Sequence, residues 1–106
     1  MKQPNNVNHN ENRQKSSHIR VVIADDHAIV RKGMRAMLEI VHDIELIGEA
    51  ENGRQAVDLV LATRPDVILM DLVMPEMDGI EAIRNIKAQI PEAHILVLTT
   101  FAGEDK

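Results

Sequence analysis

From Ile19 onward the chain alternates short β-branched runs with longer stretches in which apolar side chains recur every three or four residues. Ile19-Arg20-Val21-Val22-Ile23-Ala24 reads as a buried strand, and after it Val30, Met34, Met37, Leu38 and Val41 fall at helical spacing and predict a single apolar stripe. Ile44 to Glu49 reads as a shorter, more alternating strand. Asn52 and Gln55 then form a capping pair for a second helix that ends near Arg64-Pro65. Val67 to Asp71 predicts the third strand. Past a loop containing Pro75, Asp78 and Glu81 form another capping pair, ahead of a helix carrying Ile80, Ile83, Ile86 and Ile90 that Pro91 stops. His94 to Thr99 predicts the fourth strand. Strands alternating with helices of three to four turns predict an α/β fold around a parallel sheet.

Residues 1–18 break this pattern. They hold Asn5, Asn6, Asn8, Asn10 and Asn12 with one aliphatic residue, Val7, too little to offset the entropy of ordering, so they read as a disordered polar tail. The tail carries Lys2, Arg13 and Lys15 against Glu11, a net of +2, which leaves −7 of the total of −5 on residues 19–106. An acidic body with Phe101 as its one aromatic residue has neither the basic patch nor the stacking platforms that nucleic-acid binding uses. The absence of cysteine removes disulfides, zinc–thiolate sites and thiol nucleophiles together and fits a reducing compartment. Apolar runs such as Val67-Ile68-Leu69-Met70 are too short to span a bilayer, and no apolar segment near Met1 resembles a secretory signal; a cytoplasmic protein without membrane contact is expected.

The chemistry gathers at strand ends. Asp25 and Asp26 follow the first strand, Asp71 ends the third and Thr99 ends the fourth. Open parallel sheets bind ligands at the carboxyl edge of their strands, which predicts that the three aspartates converge. Three carboxylates in close proximity repel one another unless a cation lies between them, and an all-oxygen donor set favours Mg²⁺. Val73, two residues past Asp71, is placed to add a backbone carbonyl to that set. An aspartate beside Mg²⁺ can attack phosphorus and form an aspartyl phosphate, with Thr99 donating its hydroxyl to a phosphoryl oxygen. Taken alone, an Asp-Asp pair after a strand also reads as a helix cap, with Asp26 in that role. Met34, Met37 and Met70 read as core filling, Met74 and Met77 as residues that shape the loop beside the site. The five histidines lack close metal-ligand spacing, and His27 is the one adjacent to the acidic cluster.

At these residues the chain resembles the receiver domain of bacterial two-component response regulators. The resemblance rests on Asp25-Asp26, on Val-Ile-Leu-Met-Asp-Leu-Val-Met-Pro-Glu-Met-Asp-Gly around Asp71, and on Ile-Leu-Val-Leu before Thr99-Thr100; it extends over residues 19–106. The helix beginning Ala28-Ile29-Val30-Arg31-Lys32-Gly33-Met34 looks most like the subfamily joined to a LuxR-type helix-turn-helix domain. The resemblance implies a flavodoxin-like (CheY-like) doubly wound sheet of strand order 2-1-3-4, with Asp71 as phosphoacceptor, Mg²⁺ on Asp25, Asp26, Asp71 and the Val73 carbonyl, and Thr99 sensing the phosphoryl group. It implies a sensor histidine kinase as partner and leaves a homodimer open, with DNA reached only through an output domain absent from this chain. Family receivers continue with a fourth helix, a fifth strand ending in a lysine and a fifth helix; by that pattern residues 19–106 read as an incomplete receiver, cut before the fifth strand. The rival readings are a Mg²⁺-dependent phosphohydrolase with Asp71 as nucleophile, and a decoy fragment that occupies the kinase without signalling.

Overall fold

The computed structural model describes residues 18–98. The expected polar tail, apart from His18, lies outside the described residues, as do Thr99 and everything after it. The elements run β1 (Ile19–Ala24), α1 (Ala28–Ile40), β2 (Ile44–Ala50), α2 (Gly53–Thr63), β3 (Val67–Asp71), α3 (Gly79–Gln89) and β4 (Ile95–Leu98). All strand pairs are parallel and the sheet order is β2-β1-β3-β4, the order implied by the family resemblance.

Capping follows the sequence closely. The amide of Gln55 donates to Asn52 Oδ1 at 2.8 Å, while Gln55 Oε1 reaches back to the amide of Glu51 rather than to that of Asn52. The amide of Glu81 donates to Asp78 Oδ1 at 2.9 Å. Arg64 ends α2 in the left-handed region at φ 50° and returns its amide to the Val60 carbonyl. The helix before Pro91 is shorter than its apolar spacing suggests, with Ile90 as its C-cap. His94 lies outside β4, although its carbonyl accepts from the amide of Ile68.

The two faces of the sheet are built differently. Val22, Ala24, Ala50, Ile68 and Met70 join Ala56, Val57 and Val60 of α2 and Ala82 and Ile86 of α3 in one core cluster, which also takes in Met74 and Met77 from the loop after β3. Gly53 lets the start of α2 meet that loop: a Cβ there would sit 1.9 Å from the Met77 carbonyl oxygen. The opposite face carries Val21, Ile23 and Glu49, placed together by the pairing of Ile23 with Glu49. Here α1 lies, with none of its residues buried. The expected apolar stripe is therefore only partly used: Met34 and Leu38 are half-buried, whereas Val30 and Val41 are exposed and Met37 is 67% exposed, which corrects the reading of Met37 as core filling.

The alternation expected of β2 breaks at Ile47. Val21 pairs with Leu46 but Val22 pairs with Gly48, so one extra residue is accommodated at this edge of the sheet. The shift matters chemically, because beyond it Ala50 points into the core and Glu49 points at α1.

Candidate functional site

Parallel pairing brings the carboxyl ends of β1 and β3 side by side, with Ala24 opposite Met70, so the next residues on both strands, Asp25 and Asp71, emerge next to each other. Both are buried, at 2% and 0% exposure. Atoms of Asp25, Asp26, His27 and Asp71 able to ligate a metal all lie within 4.8 Å of one another. The sequence-level expectation that Asp25, Asp26 and Asp71 converge thus describes the geometry. His27 joins them, as its position beside the pair suggested.

Each carboxylate is held differently. Asp25 Oδ1 accepts the amide of His27 and lies 2.8 Å from its Nδ1, a local turn that starts α1 with His27, not Asp26, at the N-cap position. His27 Nδ1 is also 3.2 Å from Asp26 Oδ1. The hydrogen bond to Asp25 and then the charge of Asp26 raise the imidazole above its ordinary pKa. Asp71 Oδ1 accepts the Val73 amide at 3.2 Å, while Asp71 Oδ2 is buried with no hydrogen-bond partner. Burial, reinforced by the charges of Asp25 and Asp26, pushes the Asp71 carboxyl above the usual carboxylate range; the Val73 amide acts against this.

The loop after β3 is folded tightly against the strand end. The amide of Gly79 donates to the Leu72 carbonyl at 2.8 Å, and a Cβ at Gly79 would lie 2.3 Å from the Asp71 carbonyl oxygen, so only glycine allows this return. Glu76 takes φ 67° in the same loop. Met74 and Met77 are each 7% exposed and anchor the loop in the core, consistent with the shaping role expected of them. Val73 presents an exposed side chain and uses its amide on Asp71. Thr99 lies outside the described residues.

A second polar group went unnoticed in the sequence. Glu49 receives Arg35 through Nε at 2.7 Å and Nη2 at 3.0 Å, and Arg31 Nε at 3.1 Å; Arg31 Nη1 also donates to the Asp25 carbonyl at 2.9 Å. The hydrogen bond from Arg35 leads the effects that hold the Glu49 carboxyl below its ordinary range. The available signal was Arg31 and Arg35 four residues apart on one helix face, with a glutamate near the end of the next strand.

A buried, unpartnered carboxylate oxygen beside two further carboxylates is the donor set of a hard divalent cation, and the residues present fit one. Among the described residues no helix is long and apolar enough to cross a membrane. The family described as response regulator receiver domain matches residues 21–106. The transcriptional regulatory protein LiaR of Bacillus subtilis (strain 168) is 52% identical over 88 residues, which are 83% of this chain and 42% of LiaR. A two-component response regulator of the LuxR family from Aurantimonas sp. SI85-9A1 superposes with a TM-score of 0.74 at 38% identity, covering 78% of this chain and 59% of that one. A chain of the CheX–CheY–BeF3–Mg²⁺ complex from Borrelia burgdorferi does so with a TM-score of 0.71 at 25% identity, covering 76% and 61%. The chain spans about two fifths of the length of the curated relatives it matches, and those relatives are named as transcriptional regulators rather than as enzymes, which gives the phosphohydrolase reading no support. With its sheet order, its acidic strand ends and a match that begins at Val21, the chain belongs to the response regulator receiver domain family.

Proposed function

We propose that this chain receives a phosphoryl group on Asp71 from a sensor histidine kinase, with Mg²⁺ held by Asp25, Asp26, Asp71 and the Val73 carbonyl. The observation that carries the reading is Asp71 Oδ2, buried without a partner among other carboxylates. A carboxylate kept in that position without purpose is destabilising. Asp71 attacks phosphorus, its new O–P bond forms as the N–P bond to the kinase imidazole breaks, and the electron pair of that bond stays on the imidazole. Mg²⁺ bound here supplies charge neutralisation for the phosphoryl oxygens and favours the ionised form of Asp71. The Val73 amide orients the carboxylate through Oδ1, and His27 holds Asp25 from the solvent side.

Thr99 takes the role of sensing the phosphoryl group, by the family pattern. The presence of beryllium fluoride and Mg²⁺ in the Borrelia complex supports the same assignment of cation and phosphoryl sites. Residues 19–106 act as the receiver part of a cytoplasmic regulator whose DNA binding belongs to an output domain, and dimerisation through the receiver is compatible with this role. The test is incubation with acetyl phosphate and Mg²⁺ followed by intact-mass analysis: one phosphoryl group that hydroxylamine removes, as it does an acyl phosphate, is expected on the unsubstituted chain and none on Asp71→Asn. Labelling that persists in Asp71→Asn overturns the assignment.

A further inference from the structure

The Asp25 backbone is gripped from two directions. Its amide donates to the Ala50 carbonyl at 3.0 Å, and its carbonyl accepts Arg31 Nη1 at 2.9 Å. The guanidinium that makes the second bond is itself fixed by Glu49, one residue before Ala50, and its side chain is only 15% exposed. Both restraints thus trace to the end of β2. The Asp25 carbonyl belongs to the peptide leading into Asp26, so its orientation sets the direction in which the chain leaves β1 and where both carboxylates are aimed.

We propose that Arg31 is a positioning residue for the cation site: anchored on Glu49, it holds the Asp25–Asp26 peptide so that both carboxylates share one Mg²⁺ with Asp71. This role rests on the Mg²⁺ reading above. Its direction is opposite to what charge alone dictates. A guanidinium near the site repels an incoming cation, so a residue acting only through its charge would, when removed, leave Mg²⁺ bound more tightly. A residue that positions the ligands leaves Mg²⁺ bound more weakly when removed. Arg35 is the internal control, since it carries the same charge, sits on the same helix and pairs with the same Glu49, yet hydrogen-bonds to Glu49 and not to Asp25.

The experiment is calorimetric titration of the full chain with Mg²⁺ alone, for the unsubstituted protein, Arg31→Gln, Arg31→Lys and Arg35→Gln. Arg31→Gln is expected to weaken binding by about tenfold, the lower end for loss of a group that orients a ligand. Arg31→Lys keeps the charge but exchanges a rigid fork for a single ammonium and should weaken binding by a smaller factor. Arg35→Gln removes two hydrogen bonds between α1 and Glu49 but none to Asp25, and should leave the affinity within about twofold, well short of the tenfold loss of an orienting partner. Should Arg31→Gln fail to fold, the contrast of Arg31→Lys with Arg35→Gln decides. Arg31 variants that bind as tightly as the unsubstituted chain or more so, or an Arg35 variant weakened as much as they are, overturn the proposal. An unsubstituted chain that binds no Mg²⁺ overturns the cation reading itself, a result distinct from tight binding in all four proteins.

Discussion

One face of the sheet is closed by two helices over a continuous hydrophobic cluster, and the other combines a few buried strand side chains with a charged tether. On the first, α2 and α3 drive Val57, Val60, Ala82 and Ile86 into Val22, Ile68 and Met70, and several of these side chains lose all contact with water. On the second, Val21 and Ile23 are buried, but α1 buries none of its own residues fully: half-buried Met34 and Leu38 are joined there by the ion pairs of Arg31 and Arg35 with Glu49. Burial of one large apolar side chain stabilises by about 1.5–3 kcal/mol, whereas a partly exposed ion pair contributes about 0–1 kcal/mol. The larger share of apolar burial therefore lies on the α2/α3 face. The α1 face trades adhesion for aim, since its polar contacts end on the acidic loop.

Breaking the first face should have the largest effect. Ile86→Ala empties a fully buried position between α3 and the sheet and should lower unfolding free energy by about 2–5 kcal/mol, read from urea midpoints at constant slope. A loss below 1 kcal/mol would mean that the cluster collapses around the gap.

The charged tether should respond to pH. Hydrogen bonding from Arg35 holds the Glu49 carboxyl below its ordinary value, so the stability it contributes is fully present above that ordinary value and is lost as pH falls through its lowered folded value. Urea unfolding followed downward from pH 6 should show this loss, and Glu49→Gln should be weaker at pH 6 yet lose less on acidification. Parallel curves for the two proteins would exclude Glu49 as a contributor. The smallest effect is expected at Met37, where Met37→Ala on the exposed side of α1 should stay within about 0.5 kcal/mol of the unsubstituted chain. A larger loss would show that Met37 itself takes part in the apolar contacts of α1.

The same division governs what was legible in the sequence. On the α2/α3 face local rules and tertiary contacts agree: Asn52 and Asp78 cap the helices as their spacing with Gln55 and Glu81 suggests, and the apolar run before Asp71 becomes β3, one of the two inner strands. On the α1 face they diverge. The periodicity of Val30, Met34, Met37, Leu38 and Val41 marks a helix correctly, but says nothing about how much of the sheet is available to cover its stripe. The bulge at Ile47 was equally hidden, because the adjacent pair Leu46-Ile47 fits either phase of an alternating strand.

The elements, the parallel sheet and the three aspartates at its carboxyl edge are legible in the residue pattern, since strand and helix periods are properties of the local chain. Packing between distant segments leaves one Asp71 oxygen buried and unpaired and turns Glu49 toward Arg31 and Arg35, while His27 leans on Asp25. Those outcomes depend on register between strands distant in sequence and on which side chains reach a given atom first. A pattern of residue types does not encode either.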